Sequence, residues 1–286
     1  MTGSPYLPSE IWLDIFSLVD TPNAARLVCR QWCKLISVSK HSHDGYFANL
    51  AIFQWYITEG KLRLNTDLMS QCASRGKLEL INWLRKNDCP WDANTCANAA
   101  RNGHLEVLQW ARAHGCPWNE DTCAFAAGAG HLEMLQWARA NGCPWNRDTC
   151  SRAATGGHLE ILQWARNNGC SWNEFTCSSA AFKGHLQVLQ WAHHNGCPWD
   201  ERTCTNSAWK GHLELLKWAR SRGCPWDVKT SILATKGGHL EVLRWIHANG
   251  CPWDEFICVW AQNNGHSHIL DWVHENGYPC RHDLPW

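Results

Sequence analysis

The chain lacks a charge excess of either sign. Its 26 Lys and Arg are matched by 26 Asp and Glu. That argues against a protein that coats nucleic acid or anionic lipid, because both demand a cationic surplus to displace counterions. It also lacks a long apolar run: the longest candidate, Ala48 to Thr58, falls well short of the roughly 20 residues that span a bilayer. No basic segment and greasy leader open the chain; Glu10 and Asp14 stand there instead, so the expected location is cytoplasmic or nuclear. Phosphate-cradling glycine loops and dinucleotide fingerprints are missing as well. Hydrophobic residues are plentiful, 45% against 18% charged, so a chain of this length can bury a sizeable core.

Two residue types are over-represented: 17 Cys and 21 Trp. An odd number of thiols cannot all pair internally. Without an export signal, a buried Cys is read as a small apolar residue in a reducing compartment.

The tryptophans point to repetition. Glycines at 76, 103, 130, 157, 184, 211, 238 and 265 are each separated by 27 residues. The run GHLEVLQWARAHGCPWNEDTCAFAAGA from Gly103 is answered by GHLEMLQWARANGCPWNRDTCSRAATG from Gly130. Towards the N-terminus the pattern fades, and 45–75 reads as a degenerate capping repeat. The repeats proper fill 76–286, the last copy truncated.

Each unit spells two short helices. Asn119 is an expected N-cap, with Glu120 and Asp121 suited to the positive end of a helix running to about Gly128. The same cap position holds Asp92, Asn146, Asn173, Asp200, Asp227 and Asp254. After the Gly-His pair, Leu105, Val107, Leu108, Trp110 and Ala111 form one helical stripe. Gly115 then fits a left-handed C-terminal cap, and Pro117 prevents resumption. So small a unit cannot bury its own apolar face, and stacking must do so. Two Trp columns, Trp110 with its counterparts and Trp118 with its counterparts, are expected inside the stack. Each indole would then contribute on the order of 4–6 kcal/mol as an upper bound.

The Ala-Ala-x-x-Gly-His-Leu-Glu-Val-Leu run over Ala99 to Leu108, with the later glycine, resembles the ankyrin repeat. The resemblance covers about 45–286. The period is shorter than the ankyrin 33, and Thr-Cys replaces Thr-Pro-Leu-His. The missing residues fall where ankyrin repeats project a β-hairpin, so a tight link is expected there. This short, Cys-Pro-Trp-rich form is similar to repeats abundant in giant DNA viruses such as pandoraviruses.

Residues 1–44 lack the period. They read Leu7-Pro8-Ser9-Glu10-Ile11, then Ile15-Phe16, Thr21-Pro22 and Val28-Cys29-Arg30-Gln31-Trp32. Ser9 and Thr21-Pro22 suit helix starts. The string resembles an F-box. That resemblance implies docking on the Skp-type adaptor of a cullin-RING (SCF) ubiquitin ligase through Leu7, Pro8, Ile11, Ile15, Val28 and Trp32.

The recurrent Cys89/Cys96-type pairs and the Gly-His histidines invite a zinc reading. Their six-residue gap exceeds the usual ligand knuckle, and Ser231 breaks the series. Neither metal nor cofactor is expected. A nucleophilic Cys–His pair should be unique, whereas this one recurs in nearly every unit, so no catalytic residue is expected. Positions that vary between copies are free of the stacking framework. Among them, Phe125, Arg152, Phe182, Trp209 and Trp260 are the expected target-binding residues along a concave ridge, since Arg and exposed aromatics anchor interfaces.

The sequence thus reads as an all-α chain: an F-box-like helical module followed by an ankyrin-like solenoid. The expected function is a monomeric, non-catalytic substrate receptor holding a Skp-type adaptor and an unknown target protein, with no nucleic-acid or membrane partner. The alternative is a scaffold or decoy that recruits no ligase.

Overall fold

A computed structural model describes Phe47, residues 50–58 and residues 60–278. The chain divides into two units, Met1–Glu59 and Gly60–Trp286. Leu7, Pro8, Ile11, Ile15, Val28 and Trp32 lie outside the described residues. In the first unit, α1 (Leu50–Thr58) buries Phe53, whose ring meets Phe47 at 6.1 Å.

The second unit is a stack of helical hairpins, and all regular structure among the described residues is helical. The first helices of successive hairpins are α2 (Thr66–Ser74), α4 (Ala93–Arg101), α6 (Glu120–Gly128), α8 (Arg147–Gly156), α10 (Glu174–Lys183), α12 (Glu201–Trp209), α14 (Val228–Lys236) and α16 (Ile257–Asn263). Their partners are α3 (Leu78–Lys86), α5 (Leu105–Ala113), α7 (Leu132–Ala140), α9 (Leu159–Asn167), α11 (Leu186–His194), α13 (Leu213–Ser221), α15 (Leu240–Ala248) and α17 (Ser267–Glu275). First helices pack on one another in unbroken file, more closely than second helices of neighbouring hairpins do. Small Ala, Thr and Cys side chains on the first helices permit that approach.

The boundaries follow the expected chemistry. Asp92, Asn119, Asn146, Asp200, Asp227 and Asp254 each accept a hydrogen bond from the backbone N–H two residues on. Asn173 keeps the extended cap backbone (φ −151°), but its buried side-chain oxygen finds no donor. Asn65 supplies a further cap, accepting from the Leu68 N–H at 2.8 Å. Gly115 closes α5 with φ +83°, and the Cys116 N–H reaches back to the Ala111 carbonyl at 2.9 Å, a C-terminal cap that a β-carbon would strain. The links that follow are short and free of regular structure.

The core differs from expectation in one respect. Its fully buried layer is aliphatic and thiol: Leu108, Leu135, Leu162, Leu189, Leu216 and Leu243 recur at 0% exposure, with Ala and Cys between them. The indoles are not inside. In the two Trp columns only Trp272 is buried; the others are half-buried. Each link Trp lies edge-to-face against the next hairpin's Trp, as in Trp118–Trp137 at 6.1 Å and Trp145–Trp164 at 5.8 Å. An Arg six residues earlier covers five of them, as Arg112 over Trp118 at 4.0 Å and Arg139 over Trp145 at 4.1 Å, while His193 and His247 hold that place at Trp199 and Trp253. The same guanidinium donates to the link carbonyl of Cys116 or Cys143. The tryptophans form an Arg-clad ladder along one flank, so each contributes less than full burial would give.

The cysteines are inside, but paired differently from their sequence spacing. Thirteen among the described residues are free and buried. Cys96 meets Cys116 rather than Cys89, and this contact, then burial, pushes its thiol far above the ordinary range. Link thiols also lace consecutive links, Cys116 donating to the Asp92 carbonyl at 3.5 Å and Cys170 to the Asn146 carbonyl at 3.2 Å. Ser231 replaces the thiol, its single hydroxyl proton shared between the Val228 and Pro252 carbonyls at 2.8 and 3.1 Å. Cys258 is disulfide-bonded.

The histidines bind hairpin to hairpin. The Nε2–H of His104, His185, His239 and His266 donates to a backbone carbonyl 30 residues earlier, at 3.0–3.1 Å. These rings rest on the glycine of the preceding Gly-His turn. Among the described residues, no group of three or more His, Cys, Asp or Glu is placed to hold a metal ion. No described helix is long and apolar enough to cross a membrane.

Candidate functional site

Stacking consumes the small and aliphatic faces of the first helices; at their C-terminal ends the backbone carbonyls accept from histidines of later hairpins, while side chains beside them stay partly exposed. There α4, α6, α8, α10, α12, α14 and α16 present side chains in succession. The five residues singled out by their variability all fall on this row, and each takes part in a cation–ring contact.

Phe125 of α6 is flanked by two guanidinium groups, Arg101 of α4 at 4.0 Å and Arg152 of α8 at 4.4 Å. One comes from each neighbouring hairpin, so the cluster exists only in the stack. Beside it, Gly128, Ala129, Thr155 and Gly156 leave a shallow hollow of about 310 Å³, open to solvent. The hollow is narrow because α6 and α8 approach closely: a β-carbon on Gly156 would come within 2.5 Å of the Gly128 carbonyl.

Further along, Phe182 of α10 meets Trp209 of α12 edge-to-face at 5.5 Å. The Lys210 ammonium lies over both rings, 4.7 Å from Phe182 and 4.6 Å from Trp209, and Lys183 approaches Phe182 at 5.7 Å. Trp209 is 38% exposed, one of three exposed large hydrophobic side chains among the described residues, with Phe175 and Val228. Trp260 of α16 is more constrained: its indole N–H donates to Asp254 at 3.3 Å, and Lys236 covers its ring at 3.8 Å.

Apart from Arg152, the cations of the site were not among the expected target-binding residues. Arg101, Lys183, Lys210 and Lys236 stand within a residue of a helix C-terminus, where a positive charge suits the negative end of the macrodipole. That placement was the available signal. Among the described residues, none of these four, nor Arg152, has a carboxylate at ion-pair distance, whereas Arg202, Lys217 and Arg244 do. The row is therefore aromatic and cationic, and among the described residues its one acidic contact is Asp254, bonded to the Trp260 indole rather than to a cation.

The glutamates that recur on the second helices stand apart from this row. Glu106, Glu133 and Glu160 are exposed, while Glu214 and Glu241 pair with Lys217 and Arg244 one turn on. The link thiols Cys116, Cys143 and Cys170 are drawn below the ordinary range, first by hydrogen bonds with Cys96, Cys123 and Cys150. The Cys72 thiol is pushed up to about 12, first by desolvation, and a buried thiol in that state is inert.

Comparison with curated proteins finds no match. A family model described as F-box-like matches residues 5–41. That stretch includes Leu7, Pro8, Ile11, Ile15, Val28 and Trp32. The chain therefore pairs an F-box-like segment at residues 5–41 with a helical-repeat stack.

Proposed function

We propose that the protein is a non-catalytic substrate receptor of a cullin-RING (SCF) ubiquitin ligase. The F-box-like segment holds the Skp-type adaptor, and the ankyrin-like stack holds a target protein. The family match at residues 5–41 carries this reading, because an F-box-like segment implies an adaptor partner. The helical-repeat stack supports the second half: its framework is self-sufficient, and its free row is built of the side chains that anchor interfaces.

The mechanism is proximity. Holding the target and the adaptor on one chain converts transfer of ubiquitin from a bimolecular encounter into an effectively intramolecular one. No bond is made or broken by this chain. We further assign it to the cytoplasm or nucleus, of a host cell if the chain is viral.

Co-precipitation of a Skp-type adaptor tests the reading. Wild type should retain the adaptor, and the Leu7→Ala/Pro8→Ala double variant should lose most of it. Equal failure of both proteins removes the ligase. Deleting residues 1–44 separates receptor from scaffold: a receptor then binds its target without degrading it, whereas a scaffold keeps its whole activity.

A further inference from the structure

The row along the first-helix ends has a chemistry that specifies its occupant. This inference rests on the reading of the stack as the target-binding part. We propose that the row binds an extended, acidic segment of a partner protein, its carboxylates meeting Arg101, Arg152, Lys183, Lys210 and Lys236.

Three observations carry it. The first is charge: the chain as a whole is neutral, yet these five cations share one row with no carboxylate at ion-pair distance among the described residues. A complementary negative partner completes that field. The second is preorganisation. Arg101 and Arg152 are held against Phe125, and Lys210 and Lys236 lie over Trp209 and Trp260. Less side-chain entropy is lost when such groups bind an anion. The third is geometry. From Arg101 to Lys236 is five hairpin steps, which at about 10 Å per packed helix is about 50 Å. An extended chain spans that in about 15 residues.

Cations interleaved with aromatics also suit single-stranded nucleic acid, whose bases stack on exposed rings. Here cations already occupy ring faces: two guanidinium groups flank Phe125, and an ammonium group lies over each of Phe182, Trp209 and Trp260. Of these rings only Trp209 is exposed, so charged heads outnumber open stacking platforms, which favours carboxylates.

Fluorescence anisotropy with the full chain tests this. The probe is a labelled peptide of about 15 residues, rich in Glu and interspersed with Gly. Its comparators are the same peptide with Gln for every Glu and a labelled single-stranded oligonucleotide. The acidic peptide should bind, bind more weakly as salt rises, and outcompete both comparators. Arg101→Gln/Arg152→Gln/Lys210→Gln should raise its Kd at least tenfold, while Lys217→Gln on α13 should leave it unchanged. If the triple variant loses helicity, the single Lys210→Gln variant and the salt series on wild type decide.

Equal binding of the acidic and Gln peptides, no binding of either, or tighter binding of the oligonucleotide overturns the proposal. So does sedimentation showing a dimer that Arg152→Gln dissolves, because the row would then belong to a second copy. Failure here leaves adaptor co-precipitation intact, so the two ideas fall separately.

Discussion

Gly157 has φ +76°, and a β-carbon there would stand 2.7 Å from Cε1 of His185. Gly115 has a similar φ, +83°, but open space around it. The two glycines separate backbone strain from steric exclusion. Gly115→Ala should cost about 1–2 kcal/mol from the left-handed backbone alone. Gly157→Ala adds a displaced imidazole and should cost about 2–4 kcal/mol. Urea denaturation of both variants checks the order, and equal costs would mean that the ring moves aside freely. Asp88 supplies the converse case. It occupies the helix-cap position held by glycine elsewhere, at φ +56°. Asp88→Gly should therefore stabilise the stack by about 1 kcal/mol, seen as a higher urea midpoint.

At the scale of one hairpin, the joints are polar and the slabs between them apolar. His239 illustrates the joint. Burial draws its pKa below the ordinary 6.5, while the hydrogen bond to the Trp209 carbonyl pulls the other way. With the folded value the lower, the unfolded chain binds the proton more readily. The contribution of His239 to stability is therefore complete above about pH 6.5 and is lost as pH falls below it. An imidazole titration by NMR should place its midpoint below 6.5, and a midpoint above that value would contradict the burial argument. His193 shows how the flank ladder tolerates change. It takes the place of the ladder arginine and stacks on Trp199 at 3.8 Å, keeping the aromatic contact while giving up the guanidinium.

Across the whole stack, stability rests on neighbour interfaces repeated along one line. The thiols report on those interfaces. The thirteen free cysteines among the described residues are all buried, and desolvation, with Asp227 second, raises Cys251 to about 11. They should be unreactive towards a disulfide reagent in the native protein and react only as the hairpins separate. Modification rates measured across a urea series should track loss of helicity. Rapid reaction of these thiols in native buffer would show that the hairpins open locally.

Much of this was legible in the residues. The 27-residue period, the Asx caps, the Gly-His turns and the helix stripe follow from local chemistry, which a linear sequence records directly. Asn173 shows the limit, since its cap backbone forms but its side-chain bond does not. The partners across hairpins were hidden. Cys96 neighbours Cys116 rather than Cys89, Arg112 covers Trp118, and the indoles remain half-buried because a guanidinium and a neighbouring ring occupy their faces. The candidate row divides in the same way. Variation between copies picked out Phe125, Arg152, Phe182, Trp209 and Trp260, because positions outside the framework are free to differ. That Arg101 and Arg152 converge on Phe125, Lys210 on Phe182 and Lys236 on Trp260 was decided by stacking, which joins residues some 27 positions apart in the chain.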